Sequence, residues 1–253
     1  MPACDTPGSL RAGCCGFPLA LRRYAEEFSV VEVQQTFYQP PAVRTLETWR
    51  SSVPPGFEFA LKAWQLITHE ATSPTYRRLR EELSPQQRRD AGAFRLNATV
   101  MKAWRGTLAC ARALSSRCIL FQCPGRFSPT PTNKENLRTF FREIKPELLS
   151  SSGTGPLTCV WEPRGEWDQE EIRQLCEELD LVHAVDPFQQ TSVSHPLGYF
   201  RLHGRTGFRY RYSDKDLEQL REMAGQHGSC YVLFNNVCML EDSRRFRRLV
   251  ESE

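Results

Sequence analysis

The clearest indication of the fold is TCVWEPRGEWDQEEIRQLCEELDLVHAVDP, residues 158–187, which alternates a strand, a helix and a second strand. Two short apolar runs, 158–161 and 181–185, each end at an acidic residue followed by proline. Residues 168–179 between them read as a helix with acidic residues in its first turn, as the helix dipole favours. Such a unit predicts two parallel strands joined by a right-handed crossover.

The same alternation recurs along the chain. The predicted strands are 11–15, 29–33, 57–61, 118–121, 158–161, 181–185, 199–202 and 230–234. The predicted helices between and after them are 19–27, 42–51, 99–114, 134–149, 168–179, 213–226 and 242–250, with a further partial helix around 75–83. Eight units in 253 residues predict an α/β fold, a single (β/α)8 barrel of the triosephosphate-isomerase type over residues 1–253. The long connection 63–98 is predicted to be an insertion after the third strand, and the spacing after the sixth strand is too short for a full helix.

Bulk composition excludes several classes of protein. The chain is 40% hydrophobic and 25% charged, which is ordinary for a globular protein and excludes wholesale disorder. Without a long apolar run or a signal-peptide pattern, we expect a cytoplasmic protein with no membrane association. The ten cysteines form no CxxC pair and no zinc-site spacing, so we expect free thiols, no metal and no cofactor.

Arginine dominates the positive charge. Five of the 33 basic residues are lysines and the other 28 are arginines. The guanidinium group suits phosphate and carboxylate recognition, although a GC-rich genome explains the same excess.

Catalytic residues of such barrels lie at the carboxyl ends of the strands. The predicted catalytic residues at these ends are Lys62, Glu162, Asp186 and His203. The predicted substrate-binding residues are Glu32, Gln34, Tyr38, Gln122, Arg164, Arg205, Tyr210 and Asn235. Most strand ends therefore carry a hydrogen-bonding or ionisable group, and these groups would meet around one rim.

Two of these residues have alternative interpretations as an ion pair. Lys62 could bind phosphate or act as a base with a lowered pKa, or it could form a buried ion pair with Glu32 or Glu162. Glu162 could be a general acid or base, or it could hold Lys62 or Arg164 in place.

The remaining candidates are also open. His203 could move a proton near neutral pH, or it could be a structural histidine. Asp186 could orient His203, act as an acid, or cap a turn. The run 205–212 alternates cations with aromatic residues, which suits phosphate contacts and base stacking, or a loop whose tyrosines pack inward. Asn235 could donate to a bound oxygen or belong to a turn.

Several motifs in order along the chain resemble those of the YecE-like family, long labelled a domain of unknown function. The matching stretches are 31–38, 55–63 with 68–69, 122–124, 161–164 with Trp167, Asp186, 199–205 and 234–236. The resemblance implies a barrel of the triosephosphate-isomerase type and brings no established reaction. Cys15-Gly16-Phe17 stands where family members usually have Ser-Gly-Trp, and Gln34 where they usually have asparagine. Cys15 could keep a nucleophile-type role or fill space.

Three functions fit these patterns. The first is an enzyme for an anionic substrate such as DNA or RNA, with metal-independent phosphodiester chemistry of the nuclease or strand-joining type. The second is a sugar-phosphate isomerase or a glycoside hydrolase, and the third is a non-catalytic binder of nucleic acid or a metabolite. The sequence leaves the oligomeric state open.

Overall fold

The computed structural model describes residues 9–149 and 155–252. Eight parallel strands form a closed barrel in chain order, and β1 pairs with β8 to close it. The strands are β1 (Ser9–Cys15), β2 (Val30–Val33), β3 (Glu58–Lys62), β4 (Cys118–Gln122), β5 (Thr158–Glu162), β6 (Val182–Val185), β7 (Leu197–Leu202) and β8 (Ser229–Phe234). The predicted barrel is confirmed, and each strand lies within two residues of its predicted limits.

Ten α-helices in the described ranges accompany the strands. They are α1 (Leu21–Glu27), α2 (Gln35–Tyr38), α3 (Val43–Ser51), α4 (Gln65–Thr68), α5 (Pro85–Asp90), α6 (Ala98–Leu114), α7 (Pro131–Leu149), α8 (Gln169–Leu179), α9 (Asp214–Gly225) and α10 (Met239–Glu251). Residues 186–196, all of them described, form no α-helix between β6 and β7, as their short spacing predicts. None of the helices in 9–149 and 155–252 has the length and hydropathy that crossing a membrane requires.

The predicted partial helix around 75–83 is present only in its first part. The chain forms a 3-10 helix over Pro74–Arg78 and then α5, with residues 79–84 outside any helix. Ser73 and Ser84 each cap a new helix start, and each is followed by proline at the first helical position. Serine followed by proline is a strong helix start, so the segment divides into two short helices.

The barrel interior is layered. Its middle is apolar and contains Val30, Ala60, Leu120, Val160 and Leu233. Polar and charged side chains lie at both ends of this apolar layer. Because successive side chains of a strand point to opposite faces, the inward residues of each strand are spaced by two. The strand-end candidates Glu32, Lys62, Gln122 and Glu162 occupy the polar layer nearest the carboxyl ends of the strands.

Candidate functional site

A buried arginine organises the carboxyl end of the barrel. Arg201 lies within β7 and is 1% exposed. Its Nε is 3.0 Å from Glu32 Oε2, its Nη2 is 2.8 Å from Glu32 Oε1, and its Nη1 is 2.5 Å from Glu162 Oε2. Tyr199, two residues earlier on β7, donates its hydroxyl to Glu32 Oε2 at 2.7 Å. One guanidinium therefore joins β2, β5 and β7 across the barrel.

Both carboxylates stay ionised in this arrangement. Burial alone would raise the pKa of Glu32 and of Glu162, but Arg201 outweighs it together with the Tyr199 hydrogen bond at Glu32 and the Arg164 charge at Glu162. The pKa of Glu32 is lowered, and that of Glu162, which also faces Arg164, lies well below its usual range. Opposite charge within a few ångströms favours the charged form of an acid. The lowered pKa values favour the ionised form of both carboxyl groups near neutral pH.

Arg164 is the second guanidinium of the site and the one that faces solvent. Its Nε and Nη2 lie 3.0 and 2.9 Å from Glu162 Oε1, which fixes the planar group. Its side chain is 43% exposed, and Nη2 is 3.2 Å from His203 Nε2. The group is thus held in place on one side and open to a ligand on the other.

Lys62 reaches Glu162 through an amide. Its Nζ donates to Gln122 Oε1 at 2.6 Å, and Gln122 Nε2 lies 2.9 Å from both carboxylate oxygens of Glu162. Nζ also lies 3.8 Å from the ring centre of Phe37. Burial and the nearby Arg201 charge lower the pKa of Lys62 from 10.5 to about 7. In place of the predicted alternative, a direct ion pair with Glu32 or Glu162, the amine contacts an amide and an aromatic face. We call Glu32, Lys62, Gln122, Glu162, Arg164 and Arg201 the Arg201 cluster.

Two histidines border the Arg201 cluster as neutral bases. His203 Nδ1 is 2.9 Å from the Arg201 carbonyl oxygen, which assigns the proton to Nδ1 and the lone pair to Nε2. Burial and Arg201 lower the pKa of His203 to about 4. His69 places its Nδ1 2.7 Å from Thr68 Oγ1 and packs edge-on against Phe37, and burial with the Lys62 charge lowers its pKa to about 3.

Asp186 caps a turn. Its Oδ2 accepts from the His203 backbone N–H at 3.0 Å, and its Oδ1 accepts from the Phe188 N–H at 3.2 Å. Burial raises its pKa. Of the three predicted roles, the contacts agree with turn capping, because Asp186 meets the backbone of His203 and not the ring in the contacts described.

Cys15 contacts the buried guanidinium. Its sulfur lies 3.7 Å from Arg201 Nη2, and the residue is buried. Burial, followed by the Glu32 charge, raises the pKa of the thiol well above its usual value. A thiolate nucleophile needs a lowered pKa, so this geometry favours the space-filling interpretation of Cys15.

The remaining predicted residues divide into two groups. Gln34 donates its amide to Glu32 and therefore touches the Arg201 cluster. In the contacts described for residues 9–149 and 155–252, the other four do not reach it. Arg205 and Tyr210 bind the two carboxylate oxygens of Asp216, at 2.6 and 2.7 Å. The ring centre of Tyr38 lies 3.5 Å from the guanidinium carbon of Arg78. Asn235 is half-buried after β8. The loop after β7 thus turns Tyr210 and Tyr212 toward the protein.

The prediction missed three side chains of the site, Arg201, Tyr199 and His69. The first two carried a usable signal, since they precede His203 by two and four residues and so share its inward face. His69 follows the four-residue helix α4, and no strand pattern indicates its position. Among the described residues, no group of three or more His, Cys, Asp or Glu side chains is arranged to hold a metal ion.

Comparison with known proteins places the chain in a family. Residues 16–253 match the family described as protein of unknown function DUF72. The chain belongs to the DUF72 family. The YecE-like resemblance refers to this same family. The UPF0759 protein YunF of Bacillus subtilis (strain 168) is 23% identical over 251 residues, which cover 85% of this chain and 80% of YunF. A DUF72 family protein of Enterococcus faecalis V583 has 19% identity and a TM-score of 0.72, over 98% of this chain and 99% of that one.

Enzymes of other families share the fold. D-psicose 3-epimerase from Clostridium cellulolyticum H10 gives a TM-score of 0.57 at 10% identity, over 96% of this DUF72 chain and 98% of the epimerase. Endonuclease IV from Thermus thermophilus gives a TM-score of 0.54 at 12% identity, over 96% of this chain and 100% of that one. At these identities the likeness concerns the barrel alone.

Proposed function

We propose that this DUF72 protein is an enzyme that acts on a phosphate-bearing substrate at the carboxyl end of its barrel. The phosphodiesters of nucleic acid are the first class to test. The observation that carries the proposal is Arg164, a half-exposed guanidinium fixed by Glu162 and placed 3.2 Å from the Nε2 of a neutral His203. A planar cation with open donors suits a phosphate oxygen, and a neutral imidazole beside it suits proton transfer.

The carboxylates of the Arg201 cluster argue against glycoside hydrolysis. Such enzymes need two carboxyl groups, one of which is protonated or free to attack the sugar. Here Arg201 lies between Glu32 and Glu162 and holds both in the ionised form. Proton transfer therefore falls to nitrogen bases, His203 and Lys62.

In this proposal Arg164 binds phosphate, while His203 and Lys62 transfer protons. A phosphate oxygen that binds Arg164 competes with His203 Nε2 for the guanidinium, which frees the imidazole lone pair. That lone pair then accepts the proton of the attacking hydroxyl. Lys62 stabilises negative charge that develops on oxygen or returns a proton to the leaving group, which suits an amine whose pKa is about 7. Arg201 positions Glu32 and Glu162 and touches no substrate.

The fold neighbours motivate a second candidate, sugar-phosphate isomerisation. Lys62 and His69 flank the apolar ring of Phe37 beside the charged cluster. An amine with a pKa of about 7 next to an apolar surface suits removal of a proton beside a carbonyl group. A solved neighbour named D-psicose 3-epimerase shares the barrel.

The test is a panel of single-stranded, nicked and duplex DNA and RNA oligonucleotides incubated with the protein and a chelator. We expect a change in strand length or ligation state that Arg164→Ala lowers on the order of 10²-fold, as loss of a charge-stabilising donor does. Arg173→Ala is the matched control, because Arg173 on α8 is 45% exposed and also pairs with glutamates.

Two outcomes contradict the proposal. An unchanged panel, with no altered strand in any lane, excludes phosphodiester chemistry on these substrates. Tight oligonucleotide binding without turnover that survives Lys62→Ala and His203→Ala supports the non-catalytic binder instead.

A further inference from the structure

Lys62 is an amine in an unusual setting for a lysine. It is 6% exposed, and its described hydrogen bond goes to the uncharged amide of Gln122. The face of the Phe37 ring lies 3.8 Å away, and the cation of Arg201 is close enough to act on its charge. A buried amine near a second cation and an apolar face is the setting in which lysine becomes a nucleophile.

The position of Lys62 relative to Arg164 adds a constraint on the substrate. Gln122 and Glu162 join them in one hydrogen-bonded chain, from Lys62 Nζ through the amide and the carboxylate to the Arg164 guanidinium. A ligand whose phosphate binds Arg164 and whose carbon chain extends along Gln122 would reach Nζ. In that pose the amine would meet a carbon atom of the ligand and not its phosphorus.

We propose that Lys62 is a Schiff-base lysine, and that its substrate is a phosphate ester that also carries an aldehyde or ketone, such as an open-chain sugar phosphate. This inference rests on the proposed function, since it uses Arg164 as the phosphate site. Burial and Arg201 lower the pKa of Lys62 to about 7, so near neutral pH a large share of the amine is uncharged. An ordinary lysine with a pKa near 10.4 has an uncharged share about a thousandfold smaller at pH 7.

The chemical step balances without any further reagent. The nitrogen lone pair attacks the carbonyl carbon while the carbonyl π electrons move to oxygen, and an N–H proton transfers to that oxygen. The resulting hydroxyl takes one proton from the buffered solution and leaves as water, and the nitrogen lone pair forms the C=N bond. The product is a protonated imine that draws electrons from the neighbouring carbon.

The experiment traps this imine in the intact protein. The protein is incubated at pH 7 with D-glyceraldehyde 3-phosphate or with D-glyceraldehyde, then reduced with borohydride, which delivers hydride to the imine carbon. Peptide mass spectrometry locates the adduct, whose added mass is that of the aldehyde less one oxygen. We expect labelling of Lys62 to exceed that of other lysines by on the order of 10²-fold at pH 7, given the larger uncharged share and narrower access.

Matched variants complete the design. Lys62→Arg should lose the adduct, and Lys215→Arg, at an exposed position on α9, should keep it. Peptide mapping of the wild-type protein shows whether Lys62 carries the adduct even if Lys62→Arg does not fold. Adducts spread over exposed lysines, with Lys62 unmodified, overturn the inference.

Failure of this inference is distinguishable from failure of the proposed function. Oligonucleotide turnover that depends on Arg164, without an adduct at Lys62 from either aldehyde, overturns the Schiff base and leaves the proposed function in place. Equal trapping of both aldehydes, unaffected by Arg164→Ala, supports the Schiff base and overturns Arg164 as the phosphate site.

Discussion

Replacing Lys62 by methionine should change how the stability of the protein depends on pH. The folded chain lowers the pKa of Lys62 from 10.5 to about 7, whereas the unfolded chain exposes the amine to water. Between these pH values the unfolded state binds one more proton than the folded state. Stability therefore rises with pH across this window. Methionine has a similar unbranched length and no titrating group.

The magnitude follows from the shift. A lowering from 10.5 to about 7 corresponds to about 5 kcal/mol of differential stabilisation, at about 1.4 kcal/mol for each pH unit. The cost of the buried cation is fully present below pH 7 and declines as the pH rises toward 10.5. The free energy of unfolding of Lys62→Met minus that of the wild type should therefore fall by about 3 kcal/mol between pH 7 and pH 9.5.

The assay is urea unfolding of both proteins at pH 6, 7, 8, 9 and 9.5, with linear extrapolation to water. Taking the difference at each pH cancels the titration of the other groups. Lys215→Met, at an exposed position on α9, is the control for replacing a lysine by methionine, and its difference should vary less with pH than that of Lys62→Met. A Lys62→Met difference that is constant to within about 0.5 kcal/mol from pH 7 to 9.5 would refute the reasoning.

Three further substitutions test other parts of the structure. Arg201→Met should lower the free energy of unfolding by about 3–5 kcal/mol, since it leaves two buried carboxylates without their cation. Urea unfolding measures this loss, and an unchanged urea midpoint would contradict the prediction. Asp216→Asn should lower the free energy of unfolding by about 1–2 kcal/mol, because it weakens both the cap of α9 and the hydrogen bonds that hold residues 204–212. Amide hydrogen exchange in residues 204–212 should become faster, and unaltered exchange would contradict this role of Asp216. Gly204→Ala should lower the free energy of unfolding by an amount on the order of 2 kcal/mol, because φ is +89° and a Cβ would meet the Gly207 oxygen at 2.2 Å. Thermal unfolding measures the loss as a lower midpoint, and an unshifted midpoint shows that the turn relaxes.

The sequence predicted the strands well because each is a short apolar run bounded by prolines, glycines and polar residues. The ends of β3, β5 and β7 also predicted the positions of Lys62, Glu162 and His203 around one rim. The partners of these residues could not be predicted, since they depend on the register across the closed barrel. Arg201 meets Glu32 at a separation of 169 residues in the chain.

Two arginines show the limit of local patterns. Arg164 and Arg205 both closely follow a strand and both looked like phosphate ligands. Arg164 binds a carboxylate inside the barrel mouth, whereas Arg205 binds Asp216, the third residue of α9, whose carboxylate also caps that helix. The two arginines differ because α9 begins soon after Arg205 and brings Asp216 within its reach. Tertiary packing determines where that helix begins.

The contact of one guanidinium with strands β2, β5 and β7 also bears on how the barrel assembles. Arg201 and Glu162 lie 39 residues apart in the chain, while Arg201 and Glu32 join the two halves of the sequence. A half-built barrel that lacked β2 would leave part of this buried charge unpaired, at a cost of several kcal/mol. Such partial barrels are therefore disfavoured. Contacts between residues distant in sequence form late and slow folding. The arginine that organises the candidate site thus also makes completion of the barrel more nearly an all-or-none event.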